Sequence, residues 1–173
     1  MIIGILVTIV ILIGMSAFFS GSETALTAAS RARMHQLEKD GNKRAGLVNR
    51  LIADRERLIG AILVGNNIVN ILASILAAEL FRQLIPGPLG VAIATAVMTL
   101  VVVVCAEMTP KTYAINRPDS MAMRVARPIG AVVWVIGWVV AGAQVLVNGL
   151  LRLLGVTQPG DAVTAEDDIR GTI

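Results

Sequence analysis

Three short polar stretches interrupt an otherwise apolar chain, and their residue types define the chemistry open to it. The first is Ser16-Ala17-Phe18-Phe19-Ser20-Gly21-Ser22-Glu23-Thr24-Ala25-Leu26, at the end of a long apolar run. On a helix Ser16, Ser20 and Glu23 fall at i, i+4 and i+7, on one face. A carboxylate inside a membrane segment is a functional-site hypothesis by default, because burying it is costly. The second stretch carries Asn66, Asn67, Asn70 and Ser74. Asn66, Asn70 and Ser74, spaced by four, form one polar stripe. The third is Glu107-Met108-Thr109-Pro110-Lys111. Pro110 removes a helix N–H, frees a backbone carbonyl and predicts a break or kink nearby. Gly21, between Ser20 and Ser22, is an expected point of local unwinding, so Gly21 and Pro110 are the candidate hinges.

Hydroxyl, amide, carboxylate and carbonyl oxygens together suit a hard cation, and no His/Cys cluster offers a zinc or copper site. One carboxylate rather than three or four implies modest affinity, as a site that must release its ion requires. This chemistry alone does not separate Mg²⁺ from Na⁺ or Ca²⁺. The remaining polar residues of the motifs, Ser22, Glu23, Asn66 and Asn67, are candidates for supporting the ligands or holding a coupling ion. Asn66 and Asn67 also suit simple interhelical hydrogen bonding, and Glu107 could pair with Lys111 at i+4.

The elements that must position these groups are long apolar helices. The chain has 173 residues, 55% hydrophobic and 16% charged, with apolar runs near the roughly 20 residues that one bilayer crossing requires. An all-α integral membrane domain over residues 1–155 is expected, with spans at about 2–26, 58–83 and 89–107. The first run lacks a basic leading region and a small-residue cleavage site, so it reads as a retained span and not a signal peptide. Residues 30–57 hold Arg31, Arg33, Lys39, Lys43, Arg44, Arg50, Arg55 and Arg57. They form a helical segment that the positive-inside rule places in the cytoplasm, with the N-terminus outside and the C-terminus inside. Asn66 and Asn70 then lie roughly 12–18 Å into the second span. Ser16, Ser20 and Glu107 reach comparable depth from the other two.

The fourth apolar stretch, 129–154, is long enough to cross. Its small-or-polar stripe of Gly137, Ala141, Gln144, Asn148 and Arg152, edged by Trp134 and Trp138, also suits a helix lying in the interface. Residues 156–173, with Asp161, Glu166, Asp167 and Asp168, read as a cytoplasmic linker.

Other functional classes are disfavoured. The net charge of +3 sits beside apolar runs with 3% aromatic residues, which favours contact with the lipid bilayer over nucleic acid. The single cysteine, Cys105, permits no intrachain disulfide. An intramembrane enzyme lacks its parts, because His35, the only histidine, lies in the basic segment outside membrane depth.

These motifs, with Gly65-Asn66-Asn67-Ile68-Val69-Asn70 as the second, together resemble the transmembrane domain of the CorC/CNNM (cyclin M) magnesium transporters. The resemblance covers most of the chain, and its weight comes from three motifs in order. It implies a homodimer, each subunit with three spanning helices and a juxtamembrane belt helix at 129–154. It implies a dehydrated Mg²⁺ held by Ser16, Ser20, Asn70, Glu107 and the carbonyl of Ala106. It further implies multi-pass residence in the cell membrane and Mg²⁺ export by alternating access, with Na⁺ as the candidate coupling ion and no small-molecule substrate other than cations. ATP enters the family through a cytosolic pair of CBS motifs toward which residues 156–173 lead. The alternative is a non-transporting membrane anchor and dimerisation module whose polar groups lock helices together.

Overall fold

The computed structural model describes residues 2–153. The described residues are almost entirely helical and contain no strand. In order they are α1 (Ile2–Ala28), α2 (Arg31–Lys39), α3 (Lys43–Ala53), α4 (Arg55–Leu84), α5 (Pro88–Val101), a π-helical segment (Val102–Met108), α6 (Thr109–Asn116) and α7 (Pro118–Leu153). Residues up to Gly137 form one compact unit, and those from Trp138 on form a second, whose described part is the remainder of α7. The expected linker 156–173 lies outside the described residues, as do the side chains of Gln144, Asn148 and Arg152.

Four helical stretches are long and apolar enough to cross a membrane: Ile2–Ala28, Arg55–Leu84, Pro88–Asn116 and Pro118–Val147. Their outward faces are unlike those of a water-soluble bundle. Ile3, Val10, Ile71, Ile75, Leu100 and Leu146 are each at least half exposed, which a bilayer accommodates and water does not. The chain is an all-helical integral membrane domain.

Caps explain the helix boundaries at the polar end. The Ser30 side chain accepts from Arg33 N–H, Asn42 from Arg44 and Ala45 N–H, and Asp54 from Arg57 N–H. Each supplies an oxygen to an amide that the helix itself leaves unpaired. The α2–α3 hairpin is tied by Asn49 Nδ2 donating to Glu38 Oε2 at 2.6 Å. At the opposite end Gly87, at φ 95°, takes the left-handed turn between α4 and α5 that a side chain would resist.

The two expected backbone breaks turn out differently. Helix α1 runs unbroken through Gly21, so Gly21 does not unwind it. The third span does not stop at Pro110. It widens into the π segment and continues as α6. The wider turn absorbs the missing N–H: Thr109 N–H reaches back five residues to the Val104 carbonyl, and Pro110 sits in the first turn of α6, where no N–H is needed. The fourth apolar helix also starts earlier than 129, at Pro118, and carries Pro128 within it.

Helix α1 is central to the first unit, packing against α4, the π segment and α6, while α4 packs against α5 and α2 against α3. Two apolar clusters hold these contacts. The larger joins Phe19, Leu26, Met34, Val48, Leu58 and Ile62 with Ala122, Val125, Ala126 and Ile129 of α7. The smaller joins Ile9, Ala73, Ala77, Leu80 and Met98. Ala73 and Ala77, one turn apart, are the small residues that membrane helices use for close approach.

Candidate cation site between the two apolar clusters

Between these clusters α1 and α4 carry polar residues that are buried. Ser16, Ser20 and Ser22 are 0%, 1% and 0% exposed. The antiparallel register of α1 on α4 is fixed at two points. Ser16 Oγ donates to Asn66 Oδ1 at 2.8 Å. One turn along, the Phe19 ring lies over Gly65, where a Cβ would come within 2.8 Å of Phe19 Cζ. Asn70 stands one turn further along α4.

The third span runs parallel to α1. Ile9 and Ile13 share a cluster with Met98 and Val102, and Gly21 meets Pro110, whose Cβ would be 3.2 Å from a Cβ on Gly21. One offset satisfies all three pairings. It sets Ala106 and Glu107 level with Ala17 and Phe18, between Ser16 and Ser20. At 1.5 Å per residue Asn70, Ser16, Ala106, Glu107 and Ser20 fall within about 12 Å along the bundle axis.

The hydrogen-bond state of these oxygens separates them. Ser20 Oγ and Asn70 Oδ1 are buried with no hydrogen-bond partner within the chain. An unpaired buried polar atom costs roughly 1–3 kcal/mol, so two on facing helices need a reason. Ala106 is fully buried. In α-helical spacing its carbonyl would receive the N–H of residue 110, which is proline, and the Cys105 carbonyl would receive that of Thr109, which is spent on Val104. Glu107 is half-buried, and among the described residues neither it nor Lys111 forms an ion pair. The expected alternative pairing of Glu107 with Lys111 is therefore not made.

The other candidates are placed differently. Ser22 is two residues past Ser20, about 200° around the helix, on the side of α1 that carries Phe19 and Leu26. Its buried Oγ is also without a partner, and nothing in the structure accounts for it. Glu23 shares the Ser16–Ser20 face and is half-buried. Asn67 is exposed and Asn66 is engaged with Ser16. Ser74 bonds back to the Asn70 carbonyl at 2.9 Å. Among the described residues no three His, Cys, Asp or Glu side chains gather to hold a metal, so a cation site here would draw mainly on hydroxyl, amide and carbonyl oxygens.

Sequence reasoning missed the π segment and the groove beside it. Asn70, Ser74 and Ala78 of α4 and Ala94, Thr95, Met98 and Thr99 of α5 line an open cavity of about 260 Å³. Its hydroxyls were legible as Thr95 and Thr99 at i and i+4.

The fold and the site define a polytopic membrane domain with a buried, oxygen-rich layer at its centre. The chain belongs to the cyclin M transmembrane N-terminal domain family, whose model matches residues 7–173. It is 39% identical over 144 residues to the UPF0053 inner membrane protein YfjD of Escherichia coli K12, covering 82% of this chain and 33% of that protein. It is 32% identical over 164 residues to a DUF21 domain-containing chloroplastic protein of Arabidopsis thaliana, covering 92% and 24%. The UPF0053 protein YhdT of Bacillus subtilis is 29% identical over 181 residues, covering 95% and 39%. The chain thus spans between about a quarter and two fifths of the length of these relatives. Membership of this family is consistent with cation transport across a membrane.

Proposed function

We propose that this chain is the ion-conducting membrane domain of a Mg²⁺ transporter. Ser16, Ser20, Asn70, Glu107 and the Ala106 carbonyl would exchange oxygens for the hydration shell of the ion. The observation that carries this reading is the pair of buried, unpartnered oxygens, Ser20 Oγ and Asn70 Oδ1, on facing helices beside the proline-interrupted turn. A cation drawn into this layer would supply the kind of partner that such an oxygen lacks. Mg²⁺ demands hard oxygen donors, and neutral donors with a single carboxylate hold it weakly enough to let it go.

The topology that goes with this reading has three crossings and a belt. Residues 122–129 of α7 pack on Met34, Ala45, Val48 and Ile52 of the basic α2–α3 hairpin. Trp134 and Trp138, 79% and 75% exposed, suit the headgroup layer. The N-terminus is then outside and the C-terminal residues cytoplasmic. In this reading the domain works as a homodimer in the cell membrane, and the open groove of Asn70, Thr95 and Thr99 supports a second copy as its cover. Export by alternating access, with Na⁺ as the coupling ion, completes the reading. ATP would act only through CBS domains beyond this chain.

Mg²⁺ flux from proteoliposomes tests it. Ser20→Ala or Glu107→Ala abolishes flux; wild-type flux in both variants contradicts the assignment. The rival reading, a membrane anchor without transport, draws on the Ser16–Asn66 bond, the kind of interhelical link an anchor needs. It predicts that Mg²⁺ leaves the melting temperature unchanged, whereas an ion that binds only the folded state raises it.

A further inference from the structure

The Ser16 hydroxyl differs from the other oxygens of the layer, because it is already spoken for on one side. Its Oγ donates to Asn66 Oδ1 at 2.8 Å across the α1–α4 contact, while Ser20 Oγ and Asn70 Oδ1 have no partner. A hydroxyl carries one proton and two lone pairs, and its proton turns to suit its surroundings. Left free, the Ser16 proton has no fixed direction and can point at an incoming cation. Donated to Asn66, it points away, and both lone pairs of Oγ remain for the ion. Asn66 in turn has one of the two lone pairs of its carbonyl oxygen engaged by Ser16.

We infer that Asn66 is a positioning residue: it fixes the Ser16 hydroxyl as a pure acceptor facing the cation site, and is not itself a ligand. This inference rests on the proposed cation site and assigns a role that the four-residue spacing of Asn66 and Asn70 leaves undivided. Of the two amides on one stripe, Asn70 meets the ion and Asn66 meets the serine. The neighbouring Asn67 is exposed and serves neither purpose. Partners that orient a metal's direct ligands typically carry 10–100-fold of the affinity.

A double-mutant cycle on the purified chain, with Mg²⁺ binding measured by calorimetry, tests the role. The set is wild type, Ser16→Ala, Asn66→Leu and the double variant, with Asn66→Asp as the conservative change and Asn70→Ala as the control. Asn66→Leu is of similar shape and removes the acceptor; it weakens Mg²⁺ binding about tenfold. In the Ser16→Ala background the same change costs less than twofold, since the hydroxyl it orients is gone. Asn66→Asp keeps an acceptor oxygen in place and binds at least as tightly as wild type. Additive losses in the cycle, or a tenfold loss in Asn66→Asp, would overturn the positioning role. If Asn66→Leu does not fold, Asn66→Ala replaces it in the same cycle. Binding that is lost in Asn70→Ala but unchanged in Asn66→Leu leaves the cation site standing and removes only this role. Absence of Mg²⁺ binding in the wild type overturns both.

Discussion

Gly21 of α1 and Pro110 of α6 are in contact: a Cβ on Gly21 would lie 3.2 Å from Pro110 Cβ, 3.4 Å from the Pro110 carbonyl oxygen and 2.7 Å from Met121 Cε. The glycine leaves room for the proline ring, and the π segment ends two residues before that proline. The contact therefore sets the depth of the third span against α1. Gly21→Val should push these helices apart at a cost of about 1–3 kcal/mol, read as a lower melting temperature in detergent. Gly21→Ala should cost less, because the Met121 methyl can swing aside.

The Phe19–Gly65 contact gives a second packing prediction. A Cβ on Gly65 would sit 2.8 Å from Phe19 Cζ and 3.0 Å from Phe19 Cε1. Gly65→Ala should destabilise by about 1–3 kcal/mol, and Phe19→Leu in the same chain should recover part of that loss. Equal effects of Gly65→Ala with and without Phe19→Leu would show that the ring is not what the new methyl meets.

Ser20→Ala makes the sharpest contrast between stability and function. It deletes a buried oxygen that has no partner in the chain, so without Mg²⁺ the variant should melt higher than wild type, by about 1 kcal/mol. The same variant should lose the rise in melting temperature that Mg²⁺ produces in the wild type. A purely structural serine would give the opposite sign, a fall in stability with no change in the response to the ion.

Asp119, in the first turn of α7, accepts from Ser30 N–H at 2.9 Å and from Arg33 Nη1 at 3.0 Å. It joins the α1–α2 junction to the start of α7. Arg33 is 70% exposed, so Arg33→Ala should cost below about 0.5 kcal/mol and lose even that in high salt. Asp119→Ala also removes the acceptor of the Ser30 amide and should cost about 1 kcal/mol, with less dependence on salt. Melting curves at low and high ionic strength separate the two.

The helices themselves and the polar motifs were legible because apolar length and four-residue spacing are local properties of the chain. The polar hairpin was legible as a helical segment with a turn at Gly41-Asn42, which the structure places there; the cap at Asp54, which separates α3 from α4, was not. The π segment was not legible. Pro110 announces a missing N–H, but a kink and a widened turn answer that loss equally well from the sequence, and packing against Gly21 decides between them. Gly21 beside two serines reads as unwinding or as close packing with equal ease, and only the neighbouring helix shows which. Likewise Asn66 and Asn70 are equivalent by spacing. Which amide is engaged depends on the axial register of α1 on α4, set by Phe19 seating on Gly65. Ser22 belongs to the first motif in sequence yet lies across the helix from Ser20, a distinction that 100° per residue already implied.

The central claim is that the buried oxygens of Ser20 and Asn70 belong to a Mg²⁺ site. Calorimetric titration of Mg²⁺ into the purified chain, wild type beside Asn70→Ala, tests it most directly. Binding to the wild type that disappears in Asn70→Ala is the predicted result. Equal binding by both proteins, or no binding by the wild type, would contradict it.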